Sequence, residues 1–207
     1  MRNLISVICV ILSFCACSLP TTKGLQQVKS TLSEYHNPYF SDVSKDYIYK
    51  AKIKAFKSNF GGILIIKKIK NQQHRIVFTT DFGNKIFDFE IIKNSFKTHY
   101  LMEQLNKKIV IKTLQRDFET LIKERNSVEK AFKNTEAVIY KSKNKKRFNY
   151  YFTDLKAQKL QKIVHTSNTK EKTIFSFENS TKNVANQIKI AHKNLPITIR
   201  LIALKSF

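Results

Sequence analysis

Alternation of apolar and charged residues between positions 47 and 56 restricts the fold of this chain more than any other feature of its sequence. In a β-strand, successive side chains point to opposite faces of the sheet. Apolar residues at every second position therefore indicate a strand with one buried face. Here the apolar set alternates mainly with lysines and comprises Tyr47, Tyr49, Ala51, Ile53 and Ala55. The segment predicts a strand with an apolar face and a basic face.

More strands are predicted at short intervals after this one. Four segments are rich in the β-branched and aromatic residues that favour strands, namely residues 63–69, 75–80, 86–92 and 96–102. Gly61-Gly62 precedes the first of them, and residues 81–84 (DFGN) have the composition of a hairpin turn. Short turns between successive strands predict an antiparallel meander.

The clearest helix candidate extends from about residue 106 to residue 124. Its lysines and arginine lie mostly on one side, and its apolar residues recur at spacings near the helical repeat of about 3.6. The apolar stripe comprises Leu105, Ile109, Leu114, Phe118, Leu121 and Ile122. Two shorter helical segments are also predicted. They are one or two turns within residues 25–35, where Leu25, Val28 and Leu32 share a face, and a single turn at residues 128–132.

The last third of the chain returns to strands. These are predicted at residues 138–141, 148–153, 160–166, 173–177, 188–192 and 197–204. The whole chain then has about eleven strands and one or two helices, which makes it an α+β protein that is mainly β. A single sheet of that size normally curls, and its concave apolar face must be covered. We expect the helix at 106–124 to cover it. The covering residues are expected to be Ile109, Leu114, Phe118 and Leu121.

The N-terminus has the features of an export signal. Arg2 precedes an apolar run at residues 4–14, which is only about half of the ~20 residues that span a bilayer. A charged start, a short apolar run and small residues are typical of a signal peptide. Residues 14–17 (FCAC) resemble a lipobox, which predicts cleavage after residue 16 and a covalent lipid such as palmitate on Cys17. The alternative is an ordinary cleaved signal with an incidental cysteine.

This interpretation divides the chain into three parts. They are a signal peptide (1–16), a lipidated tether with a short helix (17–36) and a single domain (37–207). The sequence has three cysteines, Cys9, Cys15 and Cys17, so the mature domain retains none for a disulfide. What remains after cleavage is long enough to form one hydrophobic core. We expect a monomer.

The charge of the chain limits its partners. The formal net charge is +23 and the pI is near 10.0. In a cytosolic protein this balance first indicates nucleic acid, but export argues against that partner. The anionic groups that an envelope offers are phospholipid headgroups, lipid A phosphates and anionic glycans. A lysine-rich compositional bias of the genome is the alternative, although it explains the shortage of Asp and Glu less well.

No catalytic or metal-binding pattern stands out. The histidines are scattered and lack the HExxH spacing of a zinc site, and no GxSxG elbow is present. Asp88 and Glu90 share one face of a predicted strand, and we interpret that face as exposed to solvent. We therefore expect neither an enzyme nor a metal or cofactor site, apart from the lipid on Cys17. The histidines are His36, His74, His99, His165 and His192.

The order of elements resembles that of the LolA/LolB-like family of lipoprotein-localisation carriers and receptors, especially the lipid-anchored receptor. That order is lipobox, short helix, antiparallel meander, amphipathic helix and further strands. Segments between residues 37 and 121 also resemble a group of uncharacterised lipoproteins of the Bacteroidetes. These segments are NPYF (37–40), DYIYKAKI (46–53), RIVFTTDFG (75–83) and IFDFE (86–90).

The resemblance implies an open half-barrel, capped by helices, whose apolar interior receives acyl chains. It also implies an apolar residue that protrudes from a turn between early strands and inserts into a membrane or an acyl site. Phe82 occupies that place here, in a shorter turn and with an aromatic ring in place of an aliphatic side chain. The alternative is that Phe82 folds back onto the rim of the sheet.

The same resemblance leads to an expected location and an expected function. Ser18 follows Cys17, where an aspartate would indicate retention at the inner membrane, so the outer membrane on its periplasmic side is favoured. The expected function is binding of acyl chains or lipoproteins, with a role in lipoprotein localisation. Two alternatives stay open. One is an accessory or scaffold lipoprotein of an envelope complex, and the other is a binder of anionic lipid headgroups through the basic surface.

Overall fold

A computed structural model describes residues 19–93, 95–156, 159–181 and 183–204. Within these ranges the chain forms fifteen β-strands, one α-helix and two short 3-10 helices. The predicted signal peptide and the lipid attachment site at Cys17 lie outside the described residues.

The helix α1 comprises Lys108–Ile122, and the 3-10 helices are Pro20–Thr22 and Glu103–Leu105. The strands are β1 (Gln26–Val28), β2 (Glu34–His36), β3 (Asp46–Ala55), β4 (Ser58–Lys70), β5 (Gln73–Thr79), β6 (Lys85–Ile92), β7 (Ser95–Leu101), β8 (Arg125–Ser127), β9 (Lys130–Lys133), β10 (Ala137–Asn144), β11 (Arg147–Asp154), β12 (Leu160–Thr166), β13 (Glu171–Glu178), β14 (Gln187–His192) and β15 (Ile197–Ala203).

Thirteen of these strands form one antiparallel sheet, in the order β1-β9-β10-β11-β12-β13-β14-β15-β3-β4-β5-β6-β7. Strands β2 and β8 form a separate pair. In the part of the chain that the structure describes, β1 and β7 are the two edges and do not pair with each other, so the sheet stays open. Neighbouring strands are rotated by roughly 20–25° on average, and a sheet this wide therefore curls. The expected curved antiparallel sheet with an open half-barrel form is confirmed.

Strands β3–β7 form a first meander and strands β9–β15 a second, and the last strand joins the two. Strand β15 lies beside β3, with Ile199 opposite Ile53 and Leu201 opposite Ala51. The inward-facing residues of β3 are buried on this side, as their alternation predicted. The C-terminal strand thus completes the middle of the sheet, and the core draws apolar residues from both meanders and from α1.

Gly61 and Gly62 lie inside β4 instead of preceding it. A Cβ atom on Gly62 would come within 1.8 Å of the backbone oxygen of Thr79 on β5. That approach leaves room only for glycine at position 62, whereas a Cβ atom on Gly61 would meet nothing within 4 Å. Gly62 therefore allows β4 and β5 to pack closely, and the pair does not end a strand.

The two shorter helical predictions are wrong. Residues 25–35 contain β1 and most of β2, and residues 128–132 contribute to β9. Strand β1 pairs with β9 at one edge of the large sheet, with Gln27 opposite Phe132. Each segment is only a few residues long, so pairing with a distant strand outweighs a weak helical spacing.

A second, smaller core lies on the other face of β10–β12. The segment before β1 covers it, and Thr21 Oγ1 donates a 2.8 Å hydrogen bond to Glu171 Oε1 on β13. This core comprises Leu19, Ala137, Ile139, Tyr150, Phe152 and Val164. The described part of the predicted tether is therefore packed against the domain.

Candidate functional site

Helix α1 lies against the concave face of the sheet through an apolar stripe. Leu114, Phe118 and Leu121, three of the four expected covering residues, are fully buried. The fourth, Ile109, is 45% exposed and does not belong to the stripe. It precedes Leu114 by five residues, which at about 100° per residue places it roughly 140° away around the helix. Val110 takes the buried position instead.

Aromatic rings occupy the space beneath this stripe. Phe87 and Phe89 on β6 stack with their ring centroids 4.4 Å apart, and Phe118 lies 5.8 Å from Phe87. Phe78 on β5 lies 5.3 Å from Phe87. In the described chain the concave face under α1 is therefore filled by its own side chains.

A second buried stripe of α1 is polar. Thr113, Asp117 and Thr120 follow one another at helical spacing and are almost fully buried. Among the described residues, Thr113 Oγ1, Asp117 Oδ2 and Thr120 Oγ1 have no hydrogen-bond partner. A buried polar group without a partner costs about 1–3 kcal/mol. Docking of α1 onto the sheet is therefore less favourable than its apolar stripe alone would suggest.

The polar stripe makes one strong contact with the sheet. Asp117 Oδ1 lies 3.1 Å from His192 Nε2 on β14, and His192 Nδ1 lies 2.9 Å from the carbonyl oxygen of Ile197. A carbonyl only accepts, so Nδ1 carries a proton. Burial raises the pKa of Asp117. Burial alone would lower the pKa of His192, but the hydrogen bond and charge of Asp117 outweigh it and raise that pKa. The 3.1 Å distance thus places Oδ1 and Nε2 within hydrogen-bonding range of each other.

Another buried polar chain links β8, β11 and β12. His165 Nδ1 lies 2.6 Å from Asn149 Oδ1, and Asn149 Nδ2 donates to the hydroxyl of Tyr151 at 3.3 Å. That hydroxyl donates to Asn126 Oδ1 at 2.6 Å. Burial, together with the positive charge of Arg147, lowers the pKa of His165 to about 3. His165 is therefore a neutral structural residue near neutral pH.

The predicted solvent face of β6 is wrong for Asp88. Its carboxylate is buried and accepts hydrogen bonds from Arg75 Nη2 and Lys85 Nζ, each at 3.0 Å. Burial would raise the pKa of Asp88, but these two cations outweigh it and hold the pKa below its ordinary value. Glu90 lies 2.8 Å from His99 Nε2. Arg75 on β5 and His99 on β7 come from the flanking strands, and Lys85 lies at the start of β6 itself. The alternation within β6 could not reveal the contacts with the flanking strands.

Phe82 stands at the tip of the β5–β6 turn and is 94% exposed. The turn is closed by a 3.0 Å hydrogen bond from the Gly83 N–H to the carbonyl oxygen of Thr80. Asp81 forms an ion pair with Lys50 on β3. The ring is therefore held away from the protein by an ordered turn, and it does not fold back onto the rim of the sheet.

The NPYF segment supports the end of α1, a role that sequence reasoning missed. Asn37 Nδ2 donates to the carbonyl oxygen of Leu121 at 2.9 Å, and the Asn37 N–H donates to that of Glu124 at 2.8 Å. The Tyr39 hydroxyl donates to the carbonyl oxygen of Leu160 at 2.9 Å. Asn37-Pro38 signalled a turn in the sequence, but nothing local indicated which helix it would cap.

A cleft of about 340 Å³ opens where the C-terminal end of α1 meets three turns of the sheet. Those turns connect β4 to β5, β6 to β7 and β10 to β11, so the cleft lies between the two meanders. Its apolar and cationic lining includes Ile91, Ile122, Lys93, Lys123, Arg125 and Lys145. Sequence reasoning also missed this site, because its residues come from distant parts of the chain.

Neither a metal site nor a membrane-spanning helix is present among the described residues. These residues contain no group of three or more His, Cys, Asp or Glu side chains that could hold a metal ion. Of the helices in these ranges, none combines the length and the apolar character needed to cross a membrane.

Solved structures with a similar fold were found, although no protein-family profile and no curated protein sequence matches this chain. A LolA superfamily protein from Nitrosomonas europaea aligns over 81% of this chain and 88% of its own length, with a TM-score of 0.51 and 6% identity.

Two other structures align less well. A DUF1329 family protein from Desulfovibrio piger has a TM-score of 0.43 and 6% identity, over 79% of this chain and 85% of its own. An outer membrane lipoprotein-sorting protein domain from Vibrio parahaemolyticus has a TM-score of 0.42 and 10% identity, over 77% and 83%. The assignment of fold rests on the first structure, and it agrees with the open sheet and the helix that covers it. The chain has the LolA-like fold.

Proposed function

We propose that this protein is a lipid-anchored cell-envelope protein that binds acyl chains of lipids or lipoproteins on the concave face of its half-barrel, beneath α1. The observation that carries the proposal is the double character of α1. Its apolar stripe of Leu114, Phe118 and Leu121 covers the sheet, while its buried polar stripe leaves three oxygens without partners. A helix with both features is a cover that a ligand can displace.

The free energies of replacing α1 by an acyl chain on the sheet support such a cover. Moving α1 outward exposes its apolar stripe, but it also returns the polar oxygens of Thr113 and Thr120 to water. An acyl chain placed on the sheet gains about 0.8 kcal/mol for each buried CH₂ group. A chain of ordinary length can therefore replace the apolar contacts of α1 without any precise polar recognition. The aromatic rings of Phe87 and Phe89 then form part of the acyl-binding surface.

The attachment to a membrane is part of the same proposal. Cys17 lies two residues before Leu19 in the sequence. Leu19 packs in the smaller core on the outer face of β10–β12. The exposed ring of Phe82 supplies a second, reversible contact with lipid. Because Ser18 follows Cys17 where an aspartate would indicate the inner membrane, we propose the outer membrane, with the domain facing the periplasm. The proposed role there is in lipoprotein localisation.

Binding of a fluorescent acylated lipopeptide tests the proposal. The chain from Ser18 onward contains every described element and is the protein to use. We expect saturable binding that other acyl chains compete and that high salt leaves unchanged. His192→Ala should raise the apparent affinity, because a weaker hold on α1 increases the fraction of molecules open to ligand. His36→Ala, at an exposed histidine, is the matched control and should leave the affinity unchanged.

The basic outer face favours a second candidate function, which is binding of anionic lipid headgroups. Three cations lie directly opposite one another on adjacent strands, since Lys189 on β14 pairs with Arg200 on β15 and Arg200 pairs with Lys52 on β3. Like charges directly opposite each other are destabilising. Lys52, Lys54 and Arg200 also line a shallow groove of about 500 Å³ on this face. Anionic headgroups would neutralise the row.

Salt separates the two candidates. Binding through exposed charges weakens steeply as salt screens them, whereas burial of an acyl chain does not. Binding to anionic vesicles that disappears at high salt and in the Lys52→Gln/Arg200→Gln variant would favour the headgroup function. If neither lipopeptide nor vesicles bind, both functions fail and the scaffold alternative is the one left.

A further inference from the structure

The cleft at the end of α1 has the size of a ligand site and an apolar floor. Its volume of about 340 Å³ falls in the usual range of small-molecule pockets, roughly 300–1,000 Å³. Ile91 of β6 and Ile122 of α1 line it, and both belong to the main hydrophobic core. The floor is therefore continuous with the concave interior, at the point where the two meanders approach each other.

Positive charge dominates the rim of this cleft. Four cationic side chains line it against two carboxylates. One of the carboxylates, Glu124, is already neutralised by Lys68 Nζ at 2.8 Å. The other, Glu119, accepts a 2.8 Å hydrogen bond from Gln115 and lies 3.9 Å from Lys145. His74 is buried, and burial lowers its pKa, so it adds no positive charge near neutral pH.

Lys123 is a half-buried cation in this cleft that lacks an anionic partner in the described chain. It is half-buried, and its ammonium group has no hydrogen-bond or ion-pair partner among the described residues. Burial lowers the pKa of Lys123, and the neighbouring charge of Lys145 lowers it further. A cation at a helix C-terminus is favoured by the helix dipole. The dipole does not account for Lys93 and Lys145, which are placed there by turns outside α1.

The backbone of those turns fixes the positions of the two lysines. Lys93 and Lys145 have φ angles of 53° and 57°, in the left-handed region. That conformation costs a non-glycine residue roughly 1–2 kcal/mol. Two of the four cations thus stand at positions where glycine would be less strained, and both line the same cleft from different meanders.

We propose that this cleft binds the anionic headgroup of an amphiphile, a carboxylate or a phosphate, between Lys123 and Lys145, while the acyl chain passes Ile91 and Ile122 toward the concave face. The inference rests on the proposed function and names the class of ligand and the point of entry. The ligand displaces α1 from its C-terminal end, where the apolar floor meets the cationic rim.

Binding of paired amphiphiles of equal chain length tests the inference, again with the chain from Ser18. We expect dodecyl phosphate and dodecanoate to bind at least about tenfold more tightly than dodecyl maltoside, the gain of one or two charge-assisted hydrogen bonds. Lys123→Gln/Lys145→Gln should remove this preference and leave binding of the maltoside unchanged. Lys97→Gln/Lys108→Gln removes the same charge at exposed positions outside the cleft and should keep the preference.

Several results would overturn it. Equal affinity for anionic and nonionic amphiphiles would exclude a headgroup site while leaving acyl binding intact. If Lys97→Gln/Lys108→Gln lost the preference for anionic amphiphiles to the same extent, the preference would come from the overall charge of the protein and not from the cleft. Inorganic phosphate that binds as tightly as dodecyl phosphate would show that the tail contributes nothing. If no amphiphile binds, the proposed function fails, and this inference fails with it.

Discussion

Asp117 on α1 and His192 at the end of β14 are joined by a hydrogen bond of 3.1 Å, and both side chains are almost completely shielded from water. The contact connects the helix that follows the first meander to a strand of the second. It is the polar counterpart of the apolar stripe that faces β6. Helix α1 is therefore held to both halves of the sheet by chemically different contacts.

Removal of the imidazole should destabilise the protein strongly. His192→Ala leaves the Asp117 carboxyl buried without its partner, and breaking a buried pair in this way costs about 3–5 kcal/mol. The free energy of unfolding from urea titration measures the loss. His36→Ala removes an exposed histidine that pairs with Glu34 and should change stability by less than about 0.5 kcal/mol. Similar losses in both variants would contradict the buried contact.

Stability should fall on acidification below pH 6.5. The pKa of His165 is lowered to about 3 in the folded protein, against about 6.5 in the unfolded chain. The unfolded chain therefore binds a proton first, so this stability is present above pH 6.5 and is lost as the pH falls toward 3. The loss is on the order of 3–5 kcal/mol. His165→Gln, which cannot titrate, should show a flatter pH dependence in urea unfolding at each pH.

The two sides of α1 should respond differently to truncation. Phe118→Ala removes a fully buried ring and should cost about 3–5 kcal/mol. Ile109→Ala, at a largely exposed position of the same helix, should cost less than about 1 kcal/mol. Thermal or urea unfolding of both variants checks the orientation of the helix. A cost at Ile109 as large as that at Phe118 would mean that Ile109 belongs to the buried stripe, as the sequence predicted.

Adjacent glycines in β4 provide a matched pair. In Gly62→Ala, the new methyl group would clash with the backbone of Thr79, so strands β4 and β5 must separate, at a cost of more than about 2 kcal/mol. Gly61→Ala meets open space and should be close to neutral. Equal melting temperatures for the two variants would be inconsistent with the close approach of these strands.

Exposure of Phe82 should matter for lipid and not for folding. Phe82→Ser should leave the free energy of unfolding within about 0.5 kcal/mol of the original, because the ring has no buried contacts to lose. Partitioning of the chain onto vesicles should weaken by about ten- to a hundredfold, since inserting a Phe side chain contributes about 1.5–3 kcal/mol. Phe56→Ser changes a partly exposed ring in another turn and should retain more of the binding.

Local patterns predicted the strands well. The expected strand at residues 86–92 is β6 at Lys85–Ile92, and the one at 160–166 is β12 at Leu160–Thr166. Period-two alternation is a property of neighbouring residues, so it survives without knowledge of the fold. The short strands β1 and β9, at one edge of the sheet, lack this alternation, and their segments were predicted as helical turns. Their pairing connects residues far apart in the chain, so no local pattern reveals it.

The sequence by itself determined that this chain forms a large antiparallel sheet with one amphipathic helix, because alternation and helical spacing need only local residues. It also placed Phe82 in a hairpin turn, whereas the protrusion of its ring was implied only by the resemblance to the LolA/LolB-like family. Tertiary structure alone decided that β15 lies beside β3, that Asp88 is buried beside Arg75 of β5, and that Asn37 caps α1. It also assembled the cleft at Lys123. Each of these depends on the free energy of contacts between distant segments, which no local pattern contains.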